Sequence, residues 1–220
     1  MTIILENILK KYITGNETIT ACKINSLEFS SGGLFAVTGP SASGKTTLLN
    51  IISGIIKPDS GSIKINNIDI SLLDSKKKAD FRLNNIGLIF QEDLLINELT
   101  VLENLEIIPQ LSGKKIKIDL PYFSDLFQIS QTFTKFPAQL SRGQRQRVSA
   151  LRALLFDQEI IIADEPTANL DSGNAEVIYS FFRKLADSKK TIIVAAHDSK
   201  ILKYSDKIFD VKDGEIKERR

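Results

Sequence analysis

The stretch Gly39-Pro40-Ser41-Ala42-Ser43-Gly44-Lys45-Thr46 decides the fold of this chain. It follows the pattern of a glycine, four residues, then Gly-Lys and a serine or threonine. The apolar run 34–37 is predicted to enter it as a strand, and residues 47–52 to leave it as a helix. Such a loop points successive backbone N–H groups at one phosphate chain, and the helix N-terminus adds partial positive charge. We therefore predict a nucleotide-binding loop, with Lys45 on the β- and γ-phosphates and Thr46 on Mg²⁺; the alternative is a chance glycine-rich turn.

The composition is that of an ordinary soluble globular protein. Of 220 residues, 42% are hydrophobic and 25% charged, with a net charge of +2, so nucleic acid is not expected as a partner. The single cysteine, Cys22, excludes an internal disulfide and fits a reducing compartment. No apolar stretch reaches the ~18 residues that cross a bilayer, and the N-terminus lacks a signal-peptide layout. We expect a soluble, cytoplasmic chain.

Predicted strands and helices alternate along most of the chain. The predicted strands lie at 3–5, 19–24, 27–29, 34–37, 62–65, 86–90, 160–163, 191–195, 208–209 and 215–216. The predicted helices lie at 47–52, 75–84, 94–96, 99–102, 121–129, 141–156 and 173–186. This order predicts an α/β fold with a mainly parallel sheet and ligands at the carboxyl ends of its strands.

Two adjacent carboxylates, Asp164 and Glu165, end the apolar run that starts at Ile160. Burying an unpaired charge is costly, so acids at this position are expected to face a functional site. If the strand lies beside the phosphate-loop strand, Asp164 would reach Mg²⁺, usually through water. Glu165 would then orient or deprotonate the attacking water. The alternative is a strand that enters a loop with an acidic cap.

Two polar side chains follow other predicted strands. His197, the only histidine, comes after the strand 191–196, and Gln91 comes after the strand 86–90. A parallel sheet would bring both near the same phosphates, where His197 could donate to the γ-phosphate and Gln91 could contact Mg²⁺ or the water. The alternatives are a structural histidine and a surface glutamine.

A basic helix is predicted to begin at Ser141, within the sequence Leu140-Ser141-Arg142-Gly143-Gln144-Arg145-Gln146-Arg147. Ser141 and Gln144 have the spacing of a capping box. Such a helix start offers a hydroxyl and free backbone N–H groups to an anion. The alternative is a capped helix with a basic, solvated face.

Together these stretches resemble the ATP-binding subunit of ABC transporters across nearly the full chain. The motifs that carry the resemblance are Walker A at Gly39–Thr46, the Q-loop at Gln91, the signature at Leu140–Gln144, Walker B at Ile160–Glu165, the D-loop at Ala168–Asp171 and the H-loop at His197. Tyr12 is similar to the aromatic residue that stacks on adenine in this family; by itself it would be ordinary β-sheet filler.

The resemblance implies a fold, an activity and a set of site residues. The fold would be a single ABC ATP-binding domain over residues 1–220. It would combine an α/β P-loop NTPase core, an N-terminal antiparallel β subdomain, and a short helical subdomain, about 93–150, inserted in the RecA-like core. The activity would be ATP hydrolysis with ATP and Mg²⁺. The nucleotide-binding residues would be Tyr12, Gly39, Pro40, Ser41, Ala42, Ser43, Gly44, Lys45, Thr46 and Thr47. The catalytic residues would be Glu165, His197 and Gln91, and the metal ligands Thr46, Gln91 and Asp164.

The resemblance also implies partners. Two such domains dimerise head to tail in this family, so the signature residues would contact the ATP of a partner chain, most simply an identical one. These residues are Ser141, Arg142, Gly143 and Gln144, and Asp171 belongs to the D-loop. A separate transmembrane permease would hold the chain on the inner face of the cell membrane.

Residues 98–105 and 163–171 are similar to the group of lipoprotein-releasing, macrolide-export, antimicrobial-peptide-resistance and cell-division ATPases. This implies that ATP powers export, or lipoprotein or peptide extrusion. The alternative is a switch of the cell-division type that acts on a membrane partner without transport. A DNA-repair or translation protein is disfavoured, because the chain has neither a long coiled-coil insertion nor a second ATPase domain.

Two features depart from the family pattern. Arg142 replaces the first glycine of Leu-Ser-Gly-Gly-Gln. It would be strained if the position needs a positive φ, and would favour bound phosphate if its side chain points outward. We expect a working site because Ser141, Gly143 and Gln144 are retained. The segment between Pro109 and Leu140 is short, which trims the helical subdomain.

Overall fold

The computed structural model of the chain describes residues 1–15, 17–168 and 172–219. Its strands are β1 (Ile3–Thr14), β2 (Glu17–Phe29), β3 (Gly33–Thr38), β4 (Ser60–Ile65), β5 (Ile68–Asp69), β6 (Ile86–Ile89), β7 (Ile160–Asp164), β8 (Thr191–Ala195), β9 (Lys207–Lys212) and β10 (Glu215–Glu218). Its α-helices are α1 (Lys45–Ile52), α2 (Ser75–Asn85), α3 (Val101–Ser112), α4 (Leu120–Leu126), α5 (Arg142–Arg152) and α6 (Ser172–Asp187). None of these helices is long and apolar enough to cross a membrane.

The ten strands form one sheet in the order β5-β4-β1-β2-β10-β9-β3-β8-β7-β6. We call β9, β3, β8, β7 and β6 the parallel half, and β5, β4, β1 and β2 the antiparallel arm. The strands from β9 to β6 run parallel. In the arm, β1 pairs antiparallel with both β2 and β4. Strand β10 connects the two parts, because it runs antiparallel to β9 and parallel to β2. The predicted α/β fold with an N-terminal antiparallel part is confirmed.

Apolar side chains cover both faces of the parallel half. Leu34 and Ala36 of β3 belong to the core under α3, α5 and α6. Phe35 and Val37 belong to the core between the sheet, α1 and the arm. Because successive side chains of a strand point to opposite faces, a strand covered on both sides is apolar throughout. This explains why β3, β7 and β8 read as continuous apolar runs rather than alternating ones.

The helix predicted at 94–96 is wrong. Leu94 has a φ of 48°, and the segment is irregular. The Asn104 side chain pairs with both polar backbone groups of Ile96, accepting from its N–H at 2.8 Å and donating to its carbonyl at 3.0 Å. The helix predicted from residue 99 begins at Val101, because Thr100 and Glu103 form a capping box, and it continues to Ser112.

Other differences concern element boundaries. The strands predicted at 19–24 and 27–29 form the single strand β2. The helix predicted over 121–129 ends at Leu126, and Gln128 takes a φ of 54°. The helix predicted to reach Phe156 ends at Arg152.

Candidate nucleotide-binding site

The loop between β3 and α1 is held by close backbone approaches at two glycines. A Cβ on Gly39 would lie 2.2 Å from the Val211 carbonyl oxygen, and one on Gly44 would lie 2.2 Å from the Ala21 carbonyl oxygen. Both glycines also have a positive φ, 153° and 110°. Gly44 is the N-cap residue of α1 and supplies no side-chain hydrogen bond. The start of α1 is therefore left to an anion rather than to a capping side chain.

The loop borders a cleft of about 490 Å³ at the carboxyl edge of the parallel strands. The cleft is lined by Tyr12, Ile19, Ala21, Ser41, Ala42, Ser43, Gly44, Lys45, Thr46, Thr47, Gln91, Glu165 and His197. The predicted residues Gly39 and Pro40 lie in the same loop, and their carbonyl oxygens accept from Lys45 Nζ at 2.9 and 2.8 Å.

Ile19 and Ala21 line the cleft but were not predicted. Ile19 lies opposite Tyr12 in the β1–β2 pairing, and Ala21 follows two residues later on β2. The signal in the sequence was the hairpin itself, since residues i and i+2 of a strand share a face.

The Lys45 ammonium lies inside the loop. Its side chain is buried, and this burial lowers the pKa of Lys45, while Glu165 and Asp164 oppose the shift. On binding a phosphate chain, the Lys45 ammonium would exchange its two neutral carbonyl partners for charged phosphate oxygens, which form stronger hydrogen bonds with it.

Asp164 ends β7 and reaches Thr46, although β7 does not lie beside the phosphate-loop strand. Strand β8 separates β7 from β3, so the strand adjacency considered from the sequence is wrong. Because these strands are parallel and end at the same edge, Thr46 Oγ1 still donates to Asp164 Oδ2 at 2.6 Å. Burial raises the pKa of Asp164, and the hydrogen bond from Thr46 opposes this shift.

Two buried polar atoms at the cleft, Asp164 Oδ1 and Ser43 Oγ, have no hydrogen-bond partner among the described residues. Leaving a buried polar group unpaired costs about 1–3 kcal/mol. Ser43 lines the cleft, and Asp164 accepts a hydrogen bond from Thr46, which also lines it.

The three predicted catalytic side chains meet at Glu165. Its Oε1 lies 2.7 Å from His197 Nε2, and its Oε2 accepts from Gln91 Nε2 at 3.2 Å. The Glu165 side chain is only 15% exposed. Its backbone φ of 49° is unusual for a non-glycine residue outside turns. The carboxylate is thus held between the residues that follow β6 and β8.

The signature residues lie apart from this cleft. Gln144 N donates to Ser141 Oγ at 3.2 Å, and Ser141 N donates to Gln144 Oε1 at 2.9 Å, so the predicted capping box is confirmed. Arg142 is exposed and takes helical backbone angles in the first turn of α5, so no strain arises there. Ser141, Arg142, Gly143 and Gln144 are not among the lining residues of the cleft. Asp171 lies outside the described residues.

Helix α5 is fastened to the backbone on both sides of Gln91. Gln146 Nε2 donates to the Phe90 carbonyl at 3.1 Å, and Arg145 Nε donates to Asp93 Oδ2 at 2.9 Å. Arg152 donates to the Leu94 carbonyl at 3.0 Å. The sequence did not predict these contacts. They connect the helix that carries the signature residues to a segment that reaches the cleft.

A glycine loop at the edge of a parallel sheet, opening into a cleft lined by its own residues, defines a P-loop nucleotide-binding domain. The family model described as ABC transporter matches residues 22–168. The chain belongs to the ABC transporter family.

Known proteins are similar over nearly the whole chain. The lipoprotein-releasing system ATP-binding protein LolD 1 of Rhodopirellula baltica is 36% identical over 99% of this chain and 96% of its own length. The macrolide export ATP-binding/permease protein MacB of Vibrio parahaemolyticus is 35% identical over 96% of this chain, which spans 33% of MacB. The dimeric post-hydrolysis structure of the ATP-binding cassette MJ0796 with ADP and Pi has a TM-score of 0.92, 35% identity, and coverage of 99% of this chain and 98% of that one.

Proposed function

We propose that this chain binds Mg-ATP in the cleft and hydrolyses it. The observation that carries the proposal is a pair of buried atoms without a hydrogen-bond partner among the described residues: Ser43 Oγ of the glycine loop, and Oδ1 of Asp164, whose other oxygen accepts from Thr46 of the same loop. A phosphate chain with its cation would satisfy both, and its charge would be met by Lys45 and the start of α1.

The residues present fit a magnesium ion. Thr46, Asp164 and Gln91 offer hydroxyl, carboxylate and amide oxygens, which are the ligands this cation takes. One oxygen of Asp164 already meets Thr46, and the other has no partner among the described residues. When bound, the ion would neutralise the negative charge that develops on the phosphate chain.

The side chains of the cleft divide the chemical work. Tyr12, 39% exposed on the cleft wall, would stack on the adenine. Glu165 would align a water molecule with the γ-phosphorus and accept its proton as the bond to the β,γ-bridging oxygen breaks. His197 Nε2, now 2.7 Å from Glu165, would donate to a γ-phosphate oxygen.

We further propose that a second copy of the chain completes each site. The signature residues Ser141, Arg142, Gly143 and Gln144 do not line the cleft of their own chain, and a head-to-tail partner would bring a phosphate chain to them. The dimeric MJ0796 cassette, at a TM-score of 0.92, supports this arrangement. The single-domain expectation over residues 1–220, with a helical part at about 93–150, stays a proposal.

A separate transmembrane permease is the proposed membrane partner. The match to an ATP-binding protein of a lipoprotein-releasing system over 96% of that protein's length supports it. Export, or lipoprotein or peptide extrusion, is the proposed work, performed from the inner face of the cell membrane.

Phosphate release by purified protein tests the enzymatic proposal. The wild-type chain should hydrolyse ATP, and Glu165→Gln should bind ATP with turnover reduced about 10²- to 10⁴-fold. Glu159→Gln, at the opposite end of β7 where the side chain is 63% exposed, is the matched control and should keep wild-type turnover. Equal turnover in Glu165→Gln and the wild type would contradict the role of Glu165.

The membrane partner is tested by affinity purification of Glu165→Gln with Mg-ATP from detergent-solubilised membranes of the host. A multi-span membrane protein that copurifies and accelerates hydrolysis by the wild-type chain supports the transport proposal. Recovery of soluble proteins alone would contradict it.

A further inference from the structure

Asp59, in the loop between α1 and β4, forms hydrogen bonds with the part of β1 that precedes Tyr12. Its Oδ2 accepts from the Lys11 backbone N–H at 2.7 Å, and its Oδ1 accepts from Lys10 Nζ at 2.9 Å. Its own N–H donates to the Leu9 carbonyl at 2.8 Å. One residue is therefore bonded to three consecutive residues of the strand.

These hydrogen bonds lie where the regular pairing of β1 with its neighbouring strands is interrupted. On one side, Lys10 pairs with Cys22 and Lys11 with Thr20, so Ala21 of β2 forms a bulge. On the other side, the pairing of β1 with β4 ends at Leu9 and Ser60. A bulge changes the direction in which nearby side chains point. The Asp59 carboxylate thus takes the place of a ladder partner just beyond the end of the β1–β4 pairing.

The same carboxylate holds a cation against the Tyr12 ring. Lys10 Nζ lies over this ring, 5.6 Å from its centroid, within the range of a cation–π contact. The Lys10 side chain is 17% exposed. Its hydrogen bond lowers the pKa of Asp59, which keeps the carboxylate charged at neutral pH.

We propose that Asp59 is a positioning residue for the adenine end of the site. It fixes the backbone and the cation that orient Tyr12, and it is not itself among the residues that line the cleft. The inference rests on the proposed ATP-binding function. It requires that Asp59 contributes to the affinity for ligands that carry a base and not to the affinity for the phosphate chain.

Calorimetric titration with Mg-ATP and with magnesium tripolyphosphate separates these two parts of the ligand. Asp59→Ala should weaken ATP binding about fivefold, a part of what a stacked base contributes, and change tripolyphosphate binding by less than about 1.5-fold. Asp59→Asn keeps an acceptor for Lys11 and should give a smaller effect on ATP. Lys10→Met should weaken ATP binding about twofold through the lost cation–π contact.

Glu6→Gln is the matched control, because Glu6 of β1 pairs with Lys64 of β4 at 3.0 Å on the same arm. It should leave both affinities unchanged. In a Tyr12→Ala background, Asp59→Ala should have no further effect on ATP binding, because the ring that it orients is gone.

Equal weakening of ATP and tripolyphosphate by Asp59→Ala and Asp59→Asn would overturn the inference, as would unchanged ATP binding. A full Asp59→Ala effect in the Tyr12→Ala background would overturn it too. If the wild-type chain binds Mg-ATP no more tightly than magnesium tripolyphosphate, the proposed role of Tyr12 is itself overturned, and the inference about Asp59 falls with it. The wild-type affinities are therefore measured before those of any Asp59 variant.

Discussion

The cleft and the start of α5 both offer polar groups to an anion, but they differ in how those groups are satisfied. At the cleft, Ser43 Oγ and Asp164 Oδ1 are buried and unpartnered among the described residues. At the start of α5, Ser141 and Gln144 satisfy each other through a capping box, and neither residue lines the cleft. The first region is built around a ligand within its own chain. The second is stable without one, which suits a surface that meets its ligand only when a second copy binds.

The two regions are nevertheless mechanically joined. Arg145, Gln146 and Arg152 of α5 bind the segment 90–94, which contains Gln91. Gln91 in turn donates to Glu165 in the cleft. A phosphate or cation that displaces Gln91 would therefore act on the helix that carries the signature residues.

Among changes outside the three catalytic side chains, breaking this junction should have the largest effect. The Arg145–Asp93 ion pair is partly buried, with side chains 30% and 26% exposed. Asp93→Asn should lower turnover about tenfold through lost coupling, while ATP affinity of the separate chain stays within about twofold. Steady-state hydrolysis and titration with ATP measure the two quantities.

The control for Asp93→Asn is Asp187→Asn, which removes the exposed carboxylate of another arginine–aspartate ion pair, Arg183–Asp187 of α6 at 2.9 Å. It should leave both quantities unchanged. A parallel loss of affinity and turnover in Asp93→Asn would mean that the ion pair supports the cleft itself rather than its connection to α5.

The pH dependence of stability distinguishes the cleft from the self-satisfied helix start. Burial raises the pKa of Asp164 above its ordinary value of 3.8, so protonated Asp164 favours the folded state. This contribution is fully present below that value and is lost as the pH rises through the raised pKa. Asp164→Asn, which still accepts from Thr46, should therefore melt at a higher temperature than the wild type at pH 7.

The difference between the two melting temperatures should shrink as the pH falls towards 4. Ser141→Ala serves as the comparison, because a neutral cap should lower the melting temperature by the same amount at both pH values. A pH-independent effect of Asp164→Asn would show that the carboxylate is not penalised by burial.

The smallest effect is expected at Arg142. It is exposed and helical, so Arg142→Gly should cost about 0.5–1 kcal/mol of helix propensity and lower the melting temperature by about 1–4 °C. Turnover should stay within about threefold, because Ser141 and Gln144 keep their capping box. A large gain in turnover would mean that the arginine obstructs the site.

The sequence predicted the cleft well because its parts are local. The glycine loop is a contiguous motif, and Gln91, Glu165 and His197 each follow an apolar strand, so a parallel sheet is enough to bring them together. The position of β8 between β3 and β7 could not be read from the sequence, since strand order depends on long-range pairing.

The other features that the sequence did not predict depend on contacts between residues that are far apart in the chain or on the register of a strand pair. Ile19 and Ala21 line the cleft through a hairpin register that contains a bulge. The run 94–96 is too short to show a helical period, and the Asn104 side chain holds it in an irregular form. The contacts of Arg145 and Arg152 with the segment after Gln91 join residues more than fifty positions apart.

We propose that each ATP site is shared between the cleft of one copy and the start of α5 of a second copy. Light scattering of Glu165→Gln with saturating Mg-ATP measures this directly. The mass should double on addition of ATP, and a Glu165→Gln, Ser141→Arg double variant that still binds ATP should remain a single chain. A Glu165→Gln protein that stays a single chain, or a dimer that forms regardless of Ser141, would contradict this shared site.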